Sequence, residues 1–246
     1  PTSVCVHRDA VGHWWATFVV RKSFEKLPTT GKSIGIDWGV KTVATTTDSH
    51  FDLEAKNVRR KLSAKLARGQ RKMARRYKKG VPQSKGYKAA RLEVAKLHEK
   101  SRRHVKHEAR VWSFNVSIAH DVIAVEDFKP GFLSKSRMSR KSADNAIAMV
   151  KSTLTQKATS MGRVVVLVPP AFTTMTCSRC GSIAKRPLGL AQRTFICDCG
   201  YVADRDKNAA QTILALAEMN QAGINDVRRA SWELKPGGRI QALKSF

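Results

Sequence analysis

Between Lys56 and Arg110 the chain carries 21 Lys and Arg against three Glu, a net of +18 over 55 residues. Within that stretch apolar residues recur at helical spacing: Leu62, Leu66, Met73 and Tyr77, then Tyr87, Ala90, Val94, Leu97 and Val105, continuing to Trp112 and Val116. Gly80, Val81 and Pro82 interrupt the pattern. The segment therefore predicts two long helices joined by a turn, each with a narrow apolar seam and a basic remainder. A charged run is often only a solvated face, but such faces mix signs, and this one does not. An excess of one sign on a helix pair points to phosphate. Arg59, Arg60, Arg68, Arg71, Arg75, Arg76, Arg102 and Arg103 are the expected contacts, with His104 and His107 on the same basic face.

The whole chain repeats the bias. Its 246 residues hold 46 Lys+Arg and 19 Asp+Glu, a net charge of +27, which predicts a polyanionic partner, nucleic acid first. Hydrophobic residues make up 42%, with five Trp and nine Phe, so the chain can bury a core and is not a disordered basic tail. No apolar run approaches the roughly 18 residues that a spanning helix needs. The first residues carry no apolar leader, and the start at Pro1 reads as a processed end or as a piece of something longer.

Outside the basic segment the reading is of short strands. Val4–His7 and Trp14–Val20 suggest a hairpin. Ser33–Trp38 and Val40–Thr46 read as two strands joined tightly at Gly39, with a third near Phe51–Leu53. Asp121–Asp127 is a short apolar strand ending in acids, and Lys129–Lys141 is a Ser-, Arg- and Lys-rich loop. Ile147, Val150, Leu154, Ala158 and Met161 mark a helix. Arg163–Val168 reads as a buried strand stopped by Pro169 and Pro170, and Ala210–Ala217 as a last helix. Three strands in meander followed by strands alternating with helices predict an α/β fold with a mixed sheet, in the order of the RNase H-like fold.

Three acids fall at telling places on those elements. Asp37 is late in the first core strand, Glu126 ends the fourth, and Asp204 and Asp206 open the last helix. In that sheet order the first and fourth strands are neighbours, so the carboxylates would meet at one edge. Clustered carboxylates repel unless cations sit between them, and hard oxygen ligands suit Mg²⁺ or Mn²⁺. Two such ions about 4 Å apart can clamp a phosphodiester during in-line displacement. One of Asp204 and Asp206 is expected to cap the helix. Asp37 to Thr42 also matches the DxGxxT phosphate loop of actin-like ATPases, which does not account for the charge.

Five cysteines are present, and four, Cys177, Cys180, Cys197 and Cys199, lie within 23 residues as CSRC and CDC. This spacing predicts one structural Zn²⁺ in a Cys₄ ribbon, with Cys5 packing elsewhere. The second pair has one intervening residue, Asp198, where ribbons usually have two, so Gly200 must provide a tight turn.

Together the acid motifs, the basic helices and the cysteine module resemble the C-terminal half of transposon-encoded TnpB nucleases and the related type V CRISPR effectors. GIDWGVKTVAT looks like the first RuvC motif, IAVEDF like the second, and CDCGYVADRDKNAAQTIL like the end of the ribbon plus the third. The resemblance implies an RNase H-like (RuvC) core that cuts DNA guided by RNA, with Asp37, Glu126 and Asp206 as catalytic ligands of two Mg²⁺ ions. Asp204 becomes a cap or supporting ligand. It implies the divisions 1–30 (end of a wedge-like β region), 31–171 (nuclease core, with the basic insertion at 56–118), 172–203 (zinc ribbon), 204–219 (final helix) and 220–246 (basic tail). Guide RNA and target DNA are the implied partners. An N-terminal wedge and recognition region is expected to be missing, and a prokaryotic cytoplasm is the implied setting. A guided DNA binder that blocks access without cutting, or a non-guided transposase or resolvase of the same fold, are the alternatives.

Overall fold

The structure is a computed structural model that describes residues 1–127, 146–184, 188–189 and 192–221, with side chains to 219. The expected 129–141 loop and most of the 220–246 tail lie outside the described residues.

Among the described residues nine strands form three sheets. β1 (Ser3–Arg8) and β2 (Trp14–Val19) make an antiparallel hairpin on their own. The central sheet contains β3 (Ser33–Trp38), β4 (Thr42–Thr46), β5 (Leu53–Glu54), β6 (Val122–Glu126) and β7 (Val164–Val168), in the order β5-β4-β3-β6-β7. β3, β4 and β5 pair antiparallel, whereas β3, β6 and β7 run parallel, so the sheet is mixed as expected. The third strand is shorter and later than the sequence suggested, because Asp48 caps a 3₁₀ turn over Ser49–Phe51 that takes up Phe51. β8 (Thr194–Ile196) and β9 (Val202–Asp204) form the third sheet.

The basic segment folds as α1 (Val58–Lys61), α2 (Ser63–Arg76) and α3 (Lys85–Ala119), the last an unbroken 35 residues. Pro82 and Gly80, at φ +75°, lie in the turn before Ser84, which caps α3 by accepting from the Tyr87 N–H. All eight predicted contact arginines are exposed, although Arg102 and Arg103 share Glu99 as an ion-pair partner. α4 (Ile147–Ser160) and α5 (Arg205–Gln221) complete the chain.

Strand alternation divides the sheet's two faces. Ile34, Ile36, Trp38, Ile123 and Val125 pack with Trp112 and Val116 of α3 and with Val150 and Leu154 of α4. The other face, with Ala124 and Val168, packs on Ile213 and Ala217 of α5. Gly35 lies beneath α5: a Cβ there would overlap the Ala210 carbonyl oxygen and approach the Leu214 Cβ to 2.8 Å. Gly35 with the fully buried Ala209 and Ala210 thus lets the helix lie directly on β3.

β7 is a correction to the sequence reading. It is the edge strand of the sheet, and Val164 and Leu167 remain about half exposed, at 50% and 49%. An all-apolar run of five residues does not tell which faces are covered. Arg163 just before it is buried and fastens the end of α3, donating to the Ser117 carbonyl at 2.8 Å and to Asp121 Oδ1 at 2.7 Å.

Candidate metal and nuclease site

Asp37 and Glu126 sit one step beyond the last registered pair of β3 and β6, Ile36 with Val125. Parallel strands share polarity, so two acids near the C-terminal ends of adjacent strands become lateral neighbours, about 4.8 Å apart in backbone spacing. Both alternate onto the face that α5 covers, and both are buried, each 7% exposed. Asp206 arrives from the first turn of α5. Burial pushes the Asp37 carboxyl well above its ordinary range, and the negative charges of Glu126 and then Asp206 push it further; Arg205 opposes them. The Glu126 carboxyl is raised chiefly by burial, while the Thr173 hydroxyl, donating at 2.9 Å, steadies its charged form. Asp206 has Arg193 at 3.5 Å.

Asp204 has a different place. Its Oδ1 accepts from the backbone N–H of Asp206 at 2.9 Å and of Lys207 at 3.1 Å, which is N-cap geometry. Its carboxylate is therefore engaged by the helix terminus that presents Asp206.

The four cysteines come together as their spacing predicts. Their sulfurs all lie within 4.8 Å of one another, with Cys177 to Cys199 at 3.9 Å and Cys180 to Cys197 at 3.6 Å. Tetrahedral Zn–S bonds of about 2.3 Å place sulfurs roughly 3.8 Å apart, so the set fits a metal such as zinc. The short CDC pair converges because Gly200, at φ +83°, turns the chain and donates to the Cys197 carbonyl at 3.0 Å. Hydrogen bonding from Ser182 lowers the Cys180 thiol to about 6, and burial raises that of Cys177 to about 12. Among the described residues this quartet is the gathered metal-type cluster.

Several site residues were not apparent in the sequence. Asn208, fully buried, accepts from Ser178 N–H at 2.9 Å and donates to the Thr176 carbonyl at 2.7 Å, tying the cysteine module to α5. Lys207 reaches Asp52 and the Thr46 carbonyl across the sheet end. Thr173 holds Glu126. The DxNAA spacing hinted at Asn208; nothing in the sequence pointed to Asp52 or Thr173.

Residues 4–137 match the OrfB_IS605 family model, described as "Probable transposase", and residues 148–213 match "Cas12f1-like, TNB domain". The first match covers more than half of the 246 residues. The chain belongs to the TnpB/IS605 transposase family. One relative, a "Putative RNA-guided DNA endonuclease" of Streptomyces pristinaespiralis, is 31% identical over 94% of this chain and 57% of its own length. InsQ of Escherichia coli (strain K12), which carries the same description, is 32% identical over 74% of this chain and 48% of its own. The chain thus spans about half the length of these TnpB-family relatives. Its fold resembles that in "Cryo-EM structure of the Cas12f1-sgRNA-target DNA complex", with TM-score 0.52 and 17% identity over 85% of this chain and 55% of that one. A CRISPR-Cas12f ternary complex gives TM-score 0.53 at 18% identity, covering 86% and 44%. Among the described residues no helix is long and apolar enough to cross a membrane.

Proposed function

We propose that this chain is the RuvC-type, RNase H-like nuclease half of an RNA-guided DNA endonuclease, and that Asp37, Glu126 and Asp206 hold Mg²⁺ at its single cutting site. The observation that carries the reading is the burial of Asp37 against two further acids. Buried like charges are costly unless cations lie between them, so the fold retains them for a ligand it gains. The donors are hard oxygens, which fits Mg²⁺ or Mn²⁺. Three carboxylates from separate elements could hold two such ions about 4 Å apart. Bound ions of this kind would generate the attacking hydroxide and stabilise the leaving oxygen. The chain's own part is placement: β3 and β6 fix two carboxylates in register, and the capped end of α5 brings in the third.

The basic face of α2 and α3 supplies phosphate contacts, and the family relatives named as RNA-guided DNA endonucleases support RNA and DNA as partners. The divisions at 31–171, 172–203 and 204–219 belong to the same proposal, as does a Zn²⁺ ion in the cysteine quartet. The experiment is to purify the intact protein, sequence the RNA that co-purifies, and offer DNA matched to it with Mg²⁺. Cleavage by the parent and none by Asp37→Ala, with DNA still bound, is the expected result. Undiminished cleavage by Asp37→Ala would remove this site from the reaction.

A further inference from the structure

We propose that Asp52 and Lys207 are a positioning pair that sets where Asp206 stands relative to Asp37; the inference rests on the reading of those carboxylates as metal ligands. Lys207 Nζ donates to both oxygens of Asp52, at 2.9 and 2.8 Å, and to the Thr46 carbonyl at 2.8 Å. Asp52 Oδ1 in turn accepts from the Thr46 N–H at 2.8 Å and its hydroxyl at 3.1 Å. Thr46 pairs across the sheet with Ile36, and Thr45 pairs with Asp37 itself. A continuous circuit therefore runs from Asp37 through the β3–β4 register to Thr46, Asp52 and Lys207, and ends at the residue next to Asp206.

The place of this link is what gives it a function. A staple meant only to hold α5 to the sheet would serve anywhere along the helix, and Ile213 and Ala217 already bury that contact. This one fastens the first turn, next to a proposed ligand. Its members are about a quarter exposed, at 25% and 23%, so it is a rim feature rather than a core ion pair. The Lys207 charge is matched by Asp52. Lys207 thus works through placement. Residues that orient metal ligands in this way typically change metal affinity by about 10- to 100-fold when lost.

The test is a Mn²⁺ titration of the intact, zinc-loaded protein, with free Mn²⁺ read by electron paramagnetic resonance beside a thermal melt. Lys207→Met leaves Asp52 unpaired, so the double variant Asp52→Asn with Lys207→Met accompanies it and removes the pair without stranding a charge. Both are expected to bind Mn²⁺ roughly tenfold more weakly with little change in Tm. Lys207→Arg, which can still fork onto Asp52, is expected to stay within about twofold of the parent. A double variant that binds Mn²⁺ like the parent overturns the proposal, as does a loss of affinity that Lys207→Arg shares or that merely follows a lowered Tm. Asp206→Asn separates the two levels. If it binds Mn²⁺ as the parent does, the carboxylate site itself fails; if it weakens binding while the double variant does not, only the positioning role fails.

Discussion

The cysteine quartet and the carboxylate trio are assembled by opposite means. The quartet comes from 23 consecutive residues, on two short turns and a two-stranded hairpin, with Ile183 and Phe195 buried among the described residues there. The trio comes from positions 37, 126 and 206, carried by a buried sheet and a helix that are packed without reference to any ion. On the proposed reading, the first needs its ion in order to hold its shape, and the second is a finished structure whose buried acids repel one another until ions bind. Metal removal should therefore unfold one region and leave the other folded but inactive.

The sharpest way to break that contrast is to remove the carboxylates. Asp37→Ala, Glu126→Ala or Asp206→Asn should each lower DNA cleavage by about three orders of magnitude or more, as loss of an essential catalytic member does. In EDTA, Asp37→Ala should melt no lower than the parent, because it relieves a buried repulsion. A fall of many degrees would mean that the acid holds the fold. Next in size is the quartet. Elemental analysis should find one zinc per chain, and stripping it should cost several kcal/mol of local stability, seen as hydrogen exchange across 172–204. Mg²⁺ withdrawal should leave exchange there unchanged. Folded, active protein without zinc would erase the comparison.

Gly35→Ala probes what the two regions share. The added methyl must push α5 off β3, so about 1–3 kcal/mol of stability should go, with most of the cleavage. Asp204→Ala should cost about 0.5–2 kcal/mol of cap energy yet retain measurable cleavage, whereas Asp204→Asn should keep both. Loss of all cutting in Asp204→Asn would make it a ligand. The smallest effect concerns His120, whose burial lowers its pKa below 6.5. The unfolded chain then binds a proton that the native state refuses, so stability declines as pH falls from about 6.5 towards the lowered value. His120→Gln should flatten that decline by about 1 kcal/mol or less in melts between pH 7 and 5.

Strands and helices with a clear period were legible beforehand, because burial on one face writes itself into the sequence. The α2–α3 pair is of this kind, whereas β3 and β6 are buried on both faces and were legible as short apolar runs. β7 was legible as a strand but not as an edge, since five apolar residues carry no record of what covers them. The position of Asp204 as a cap could be anticipated, for helix termini have few acceptors to choose from. Asp52, Thr173 and Lys207 could not, because each acts on a partner dozens of residues away, and only the three-dimensional register supplies that partner. The tight approach at Gly35 was half visible in Ala209 and Ala210, but its other half lies on a strand 175 positions earlier than Ala210.

The unbroken α3 is also a beam. At Trp112 it is clamped: the indole donates to the Phe51 carbonyl at 2.7 Å and meets Trp38, the residue after Asp37, edge-on at 6.2 Å. From there to Lys85 the helix reaches roughly 40 Å at 1.5 Å per residue. A tilt of about 5° at the clamp therefore swings the far end by about 3.5 Å. Leverage runs both ways along such a rod, so a load on its charged end bears on an aromatic pair one residue from the buried Asp37 carboxylate.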